Sequence, residues 1–455
     1  MGLILGSGSS KPQYPYDMWY GVKRNLSSSD YKLERVGNLD LHRTLPIQKR
    51  LRRFVENPDG SVKYYLGAND SRKKDSGATA DITGADGNVM VEKPDYYVRI
   101  ELKGSEFIYA ISEYPLPGFV QSSRKAISAF YGTYDNVAKI PVSGSFLTWN
   151  GDDVARDSKG FPVFTANAVN CRGGSNNSAL DGTYQSQLGM ARTGISKATV
   201  RSWCNAAGNG IHHGAYRCYN EIAWLQRIEY ASLHCQDTFT TTLSDGYAQG
   251  GLGSGCSVDG GQWNTHNGYN PFIPSGVTAT LGNNTGKVNY TVKNWANSGT
   301  DKVIPVTSYR GLETPFEYLW MLADDVLVRH GYPTADKSTF YLCEDKTKFT
   351  SHSDSATTVP DGYKAMTEIA LGTSNYILNN DVSEKGISFP SQLGGAANKG
   401  YCDQYWQPGA GSTGWYGAVL AASALYGSSA GFGCLYAYSR SSYADANIGF
   451  RLCRN

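Results

Sequence analysis

Gly427-Ser428-Ser429-Ala430-Gly431 has the G-x-S-x-G spacing of a nucleophile elbow, a tight turn that lifts a serine hydroxyl clear of its sheet. A hydrolase of that kind needs its Asp and then its His after the serine, and the last histidine, His352, lies upstream. Gly251-Leu252-Gly253-Ser254-Gly255 breaks the dinucleotide fingerprint, because Cys256 stands where its last glycine belongs, and no P-loop is present. Asp324 and Asp325 are adjacent, so on a strand they face opposite ways and cannot work as an acid/base pair. Glu313 and Glu317 would share a face only on a helix, and Pro315 opposes one. His212 and His213 lie between Cys204 and Cys218, but Cys204 falls on a stripe that reads as buried, so no metal site is assigned. None of the nine cysteines is spaced C-x-x-C, which argues against a zinc ribbon or thioredoxin-like site. Most read as buried free thiols, with one or two disulfides left open. The expectation is therefore a protein without a catalytic site, metal or cofactor.

Binding chemistry is better represented. There are 32 Tyr against 15 Phe, an excess of aromatics with a polar tip. Trp406, Trp415, Tyr416, Tyr426, Tyr436, Tyr438 and Tyr443 crowd the last fifty residues among Gly, Ser, Ala and Asp. One reading is a tyrosine-rich core. The other is a ligand-facing surface, since Tyr supplies rigid contact area at small entropic cost and Ser and Gly adapt around it. In LYAYSRSSYADANIGF the tyrosines mostly alternate with Ala437, Ala444 and Ala446, so one side packs while the other reaches outward. The expected face comprises Tyr436, Tyr438, Ser439, Ser441, Tyr443 and Asp445, joined by Trp415, Tyr416, Tyr426, Ser428 and Ser429 from preceding loops.

Elements must hold that face. Ser196 caps a helix over 197–207 that Gly208 ends, with Ile195 and Val200 as a hydrophobic staple. Val200, Trp203, Cys204 and Ala207 form one buried stripe. A second helix is expected over 221–233, capped by Asn220. Asn57-Pro58-Asp59-Gly60 marks a hairpin, and Val98, Ile100 and Leu102 and then Phe107, Tyr109 and Ile111 alternate as strands. Further strands are expected at 277–281, 287–292, 318–322 and 326–328. Residues 150–190 read as an inserted loop region. The class is α+β with few helices and much loop.

Composition narrows the function. Lys and Arg number 42 against 40 Asp and Glu, which argues against a nucleic-acid binder. A chain of 455 residues suggests two or three domains. Residues 1–85 are expected as a small β-rich segment for docking and assembly, and 86–455 as the binding domain. The basic run from Arg43 through Lys49, Arg50, Arg52 and Arg53 is either a solvated face or the docking surface. Leu3–Leu5 is too short an apolar run for a secretory signal, and no apolar window is long enough for a membrane span.

Several motifs then share an order along the chain. Ala446-Asn447-Ile448-Gly449-Phe450-Arg451-Leu452-Cys453 resembles the closing strand of C-type-lectin-fold domains like those of formylglycine-generating enzymes. Tyr219–Ser232 resembles their central helix, Gly311–Phe316 with Tyr318-Leu319-Trp320 their Gly-Leu turn and Trp strand, and Gly394-Gly395 their double glycine. The stretch from Asp59-Gly60-Ser61-Val62 to Lys93–Tyr97 is similar to bacteriophage tail proteins carrying such domains. The whole is similar to variable proteins of diversity-generating retroelements, whose mutagenesis rewrites Asn codons. Tyr436, Tyr438, Ser439, Tyr443 and Asp445 are each one base from such a codon. The resemblance implies a C-type-lectin-like domain with a variable region at about 400–447 in a homotrimeric virion tail adhesin. Its partners would be other tail proteins and a host cell-surface receptor, glycan or protein. Alternatives are a cell-surface lectin with a fixed carbohydrate ligand and a formylglycine-generating-type oxidase. Oxidase members carry a close pair of reactive cysteines in the last third, whereas here Cys402 and Cys434 lie far apart in sequence.

Overall fold

A computed structural model describes residues 17–180, 188–350 and 352–455. Among them four α-helices, α1 (Leu39–Thr44), α2 (Lys197–Ala207), α3 (Tyr216–Tyr230) and α4 (Gly260–Asn267), accompany many more strands, so the protein is α+β with β predominating. The helix α2 keeps the expected span. Ser196 accepts a hydrogen bond from the Thr199 amide, and Gly208 closes the helix in the left-handed region at φ 67°. Ile195 and Val200 are buried in one cluster. Trp203 is half-buried, stacked on Tyr134 with 4.0 Å between ring centroids.

The helix α3 starts a turn earlier than expected. Asn220 lies inside it and pairs with Ser388, donating from Nδ2 to the carbonyl and accepting from the amide. The cap comes from far along the chain: the Asp325 carboxylate accepts the amides of Tyr216 and Arg217, each at 3.0 Å. Nearly every side chain of α3 is buried, its charged ones included. Each buried charge finds a partner, as a low-dielectric interior requires. Glu221 meets Lys125 at 2.9 Å and Lys93 at 3.3 Å, and Glu229 takes Arg310 at 2.7 Å. Burial pushes the Glu221 carboxyl up, but the two ammonium groups outweigh it and hold it below its ordinary value.

The largest sheet runs in the order Tyr363–Ala370, Lys337–Cys343, Trp320–His330, Gly414–Leu420, Leu435–Ser439, Gln404–Trp406, Asn375–Val382 and Ser388–Leu393. The strands expected at 318–322 and 326–328 are thus one strand, Trp320–His330, irregular between Ala323 and Leu327. Asp324 and Asp325 sit at that irregularity with separate partners. The strand expected at 277–281 is instead a 3-10 helix, because the Glu313 carboxylate gathers the amides of Gly276 and Thr278 at 2.8 and 2.7 Å. Residues 287–292 do lie in a strand, Gly286–Trp295. The closing segment is divided. Ile448–Gly449 runs parallel to Trp320–Met321, and Cys453–Arg454 joins a different sheet beside Lys125–Ser128.

Two five-stranded sheets contain the N-terminal part. Tyr20–Asn25 pairs with Glu106–Ser112, and Arg52–Glu56 pairs with Val89–Lys93. The Asn57–Gly60 hairpin forms as expected between Arg52–Glu56 and Val62–Tyr65. Residues on both sides of position 85 therefore share both sheets. Arg53 also leaves the basic run, being fully buried with its Nε donating to the Gly311 carbonyl at 2.6 Å. Within 150–190 the described residues form short bridges and 3-10 turns, with residues 181–187 outside the description. All nine cysteines are buried free thiols, so neither disulfide left open above is formed. Among the described residues no helix is long and apolar enough to cross a membrane.

Candidate functional site

The Leu435–Ser439 strand alternates. Leu435, Ala437 and Ser439 are buried, while Tyr436 is half-buried and Tyr438 is 40% exposed. The outward tyrosines continue an aromatic array. Trp320, 4% exposed, forms its floor, with ring centroids at 5.1 Å from Tyr426, 5.4 Å from Tyr436 and 5.4 Å from Trp406. Trp406 and Tyr426 lie 4.8 Å apart, Tyr436 and Tyr438 5.1 Å, and Tyr436 and Tyr443 stack at 6.3 Å. Val419, Leu322, Ala422, Ala430, Cys434 and Ile448 back these rings as one buried cluster. The array is therefore rigid below and open above.

A loop over 427–434 forms one border, and buried polar groups hold it. Gln236 Nε2 donates to the Gly427 carbonyl at 3.0 Å and to Glu317 Oε2 at 2.7 Å. The Gly433 amide donates to Asp403 Oδ2 at 2.7 Å. Burial pushes Glu317 and Asp403 each up to about 7, against the hydrogen bonds they accept and, for Asp403, against Arg227. Ser428 is exposed on this loop, and Ser429 shares a 3.0 Å hydrogen bond with the Tyr376 hydroxyl. Asp445 is exposed in a turn, and Ser441 is half-buried with its amide donated to Asp354 at 3.1 Å.

The structure thus brings together Tyr426, Ser428, Ser429, Tyr436, Tyr438 and Tyr443, with Ser441 and Asp445 on the segment that follows. Three expected face residues lie inside. Trp415 is wholly buried, its ring 4.8 Å from Tyr341, because Gly414–Leu420 is an interior strand covered on both faces. Tyr416 is buried against His330 at 4.5 Å, with the Arg440 guanidinium over its ring at 3.8 Å. Ser439 is buried opposite Gly417, where the strand register shifts and α2 covers the sheet, so it does not reach the surface with Tyr438. Trp320 and Tyr376 were missed. Trp320 sits on a strand remote in sequence, and only its aromatic type signalled it.

The partner of Ser429 is a phenol. Burial pushes the thiols of Cys402 and Cys434 up, away from thiolate. Among the described residues no group of three His, Cys, Asp or Glu side chains converges as metal ligands. No protein-family model matches the chain, and no curated protein matches it.

Proposed function

We propose that this protein is a non-catalytic receptor-binding protein of a phage tail, and that the Tyr436–Tyr438–Tyr443 face binds a receptor on the host cell surface. The observation that carries the reading is the division of the Leu435–Ser439 strand. Its inward residues pack against the core, while half-buried Tyr436 stands on buried Trp320 and the exposed Tyr438 leans on Tyr436. Side chains so placed can change identity without unfolding the strand beneath them, which is what a variable face requires. Tyrosines flanked by exposed serines are also the composition of paratopes. In this reading the scaffold is a C-type-lectin-like domain in a homotrimeric tail adhesin, attached to other virion tail proteins, with the variable residues within 400–447.

The test is adsorption of purified full-length protein to the strain it recognises. Replacing Tyr436, Tyr438 and Tyr443 together by Ser is expected to abolish adsorption while the protein remains folded by circular dichroism. Normal adsorption by the folded triple variant would place the receptor face elsewhere.

A further inference from the structure

Beside the aromatic array, where α2 covers the sheet, lies a cluster of a different kind. Asp324 is its hub. Arg201 grips the carboxylate through Nε and Nη2 at 2.6 and 2.5 Å, His213 Nε2 lies 3.6 Å away and Lys197 Nζ 4.0 Å. Gly417 pairs with Ser439 across the sheet, and a Cβ on Gly417 would sit 3.3 Å from Lys197 Nζ. Trp415, two residues earlier on that strand, shares the face. His352 approaches Asp354 at 3.3 Å, and the Asp354 carbonyl accepts the Trp415 amide at 3.0 Å.

These contacts leave five side chains with polar atoms that make no hydrogen bond: Lys197 Nζ, both ring nitrogens of His213 and of His352, Trp415 Nε1 and Ser439 Oγ. All five side chains are more than nine-tenths buried. Buried polar atoms normally find partners, so their concentration here is informative. The surplus is one of donors: an ammonium, an indole N–H, a hydroxyl and two imidazoles. Asp324, the acceptor at the hub, is already occupied by Arg201. The fixed charges balance, Lys197, Arg201 and Arg440 against Asp324, Asp325 and Asp354, so the surplus lies in the free donors. Burial lowers both imidazoles, His213 to about 4 and His352 to about 3, so each is a neutral ring. It lowers Lys197 to about 8, which leaves most of its charge at neutral pH. A pocket of about 520 Å³, lined in part by Arg329, Asp354, Thr413, Gly414 and Arg440, opens beside the cluster.

We propose that this cluster is a binding site for a small monoanion of the carboxylate class, gripped by Lys197 with His352, Trp415 and Ser439 and reached through the pocket at Asp354 and Arg440. It is built on buried Lys197 and Ser439 instead of the exposed tyrosines, and does not depend on the receptor reading.

Calorimetric titration of the full-length protein with acetate and with glucuronate tests it, together with anomalous diffraction from bromide-soaked crystals. Acetate is expected to bind saturably at one site, about tenfold more weakly in Lys197→Met, the scale of one lost charge-assisted hydrogen bond. Lys63→Met, at an exposed lysine elsewhere, should bind as the parent does. Bromide should appear within hydrogen-bond reach of Lys197 Nζ. Acetate binding alone identifies a free small ion, and glucuronate binding as well identifies the acidic group of a larger ligand. Absence of saturable binding, equal binding by Lys197→Met, or an adventitious ion only at the surface with water between the five side chains would overturn the proposal. Should Lys197→Met fail to fold, Ser439→Ala carries the affinity comparison, and the bromide map of the unaltered protein decides.

Discussion

Tyrosine does two jobs in this protein. In the core the ring packs, and four of the buried hydroxyls are tied to backbone carbonyls: Tyr131 to Leu319 at 2.6 Å, Tyr216 to Ser388 at 2.6 Å, Tyr219 to Pro315 at 2.8 Å and Tyr318 to Ile273 at 2.8 Å. At the C-terminal face the rings of Tyr436, Tyr438 and Tyr443 lean on one another. These four core tyrosines are fasteners between distant segments. The face tyrosines are a surface laid on a finished scaffold. Composition counts both alike, so the excess of tyrosine signals neither use by itself.

The sharpest way to break the scaffold is through its buried charges. Glu221→Ala strands Lys93 and Lys125 in the interior, and loss of one partner of a buried ion pair costs about 3–5 kcal/mol. Urea denaturation of the variant should show that loss or complete unfolding.

A pH effect follows from Asp403. Its folded-state value of about 7 stands above the ordinary 3.8, so the native protein holds this proton more tightly than the unfolded chain. The stabilisation is fully present below about pH 4 and is lost as pH rises through about 7. Asp403→Asn removes the titration, so its stability relative to the parent should rise between pH 5 and pH 8, on the order of 3 kcal/mol. Parallel stability profiles for the two proteins would contradict the assignment.

Smaller effects separate the two kinds of tyrosine directly. Tyr219→Phe should cost about 1 kcal/mol by leaving the Pro315 carbonyl without its donor. Tyr438→Phe should leave stability within about 0.5 kcal/mol of the parent, because the ring is exposed and its hydroxyl fastens nothing in the core.

What the sequence made legible were local features. Ser196, Gly208 and the Ile195–Val200 staple define α2 to the residue, because cap, stop and stripe lie within a dozen positions. The Asp-Gly hairpin and the outward phase of Tyr436 and Tyr438 are local for the same reason. The errors came from partners remote along the chain. Asp325 caps α3 and Glu313 winds 277–281 into a 3-10 helix, so Asn220 and the apparent strand were misread. Trp415 and Tyr416 could pass for surface residues until the sheet order covered both faces of their strand. The boundary at 85 followed a polar, glycine-rich stretch, and strand pairing crosses it.

The central claim, that fastening and binding are divided between two sets of tyrosines, is tested most directly by a crossed pair of variants. Tyr438→Ser and Tyr318→Phe are each measured for adsorption to the recognised strain and for stability to urea. Tyr438→Ser should weaken adsorption about thirtyfold, as loss of a central aromatic contact does, with stability unchanged within about 0.5 kcal/mol. Tyr318→Phe should lose about 1 kcal/mol of stability and adsorb normally while folded. Normal adsorption by Tyr438→Ser, or a loss of stability in it equal to that of Tyr318→Phe, would contradict the account.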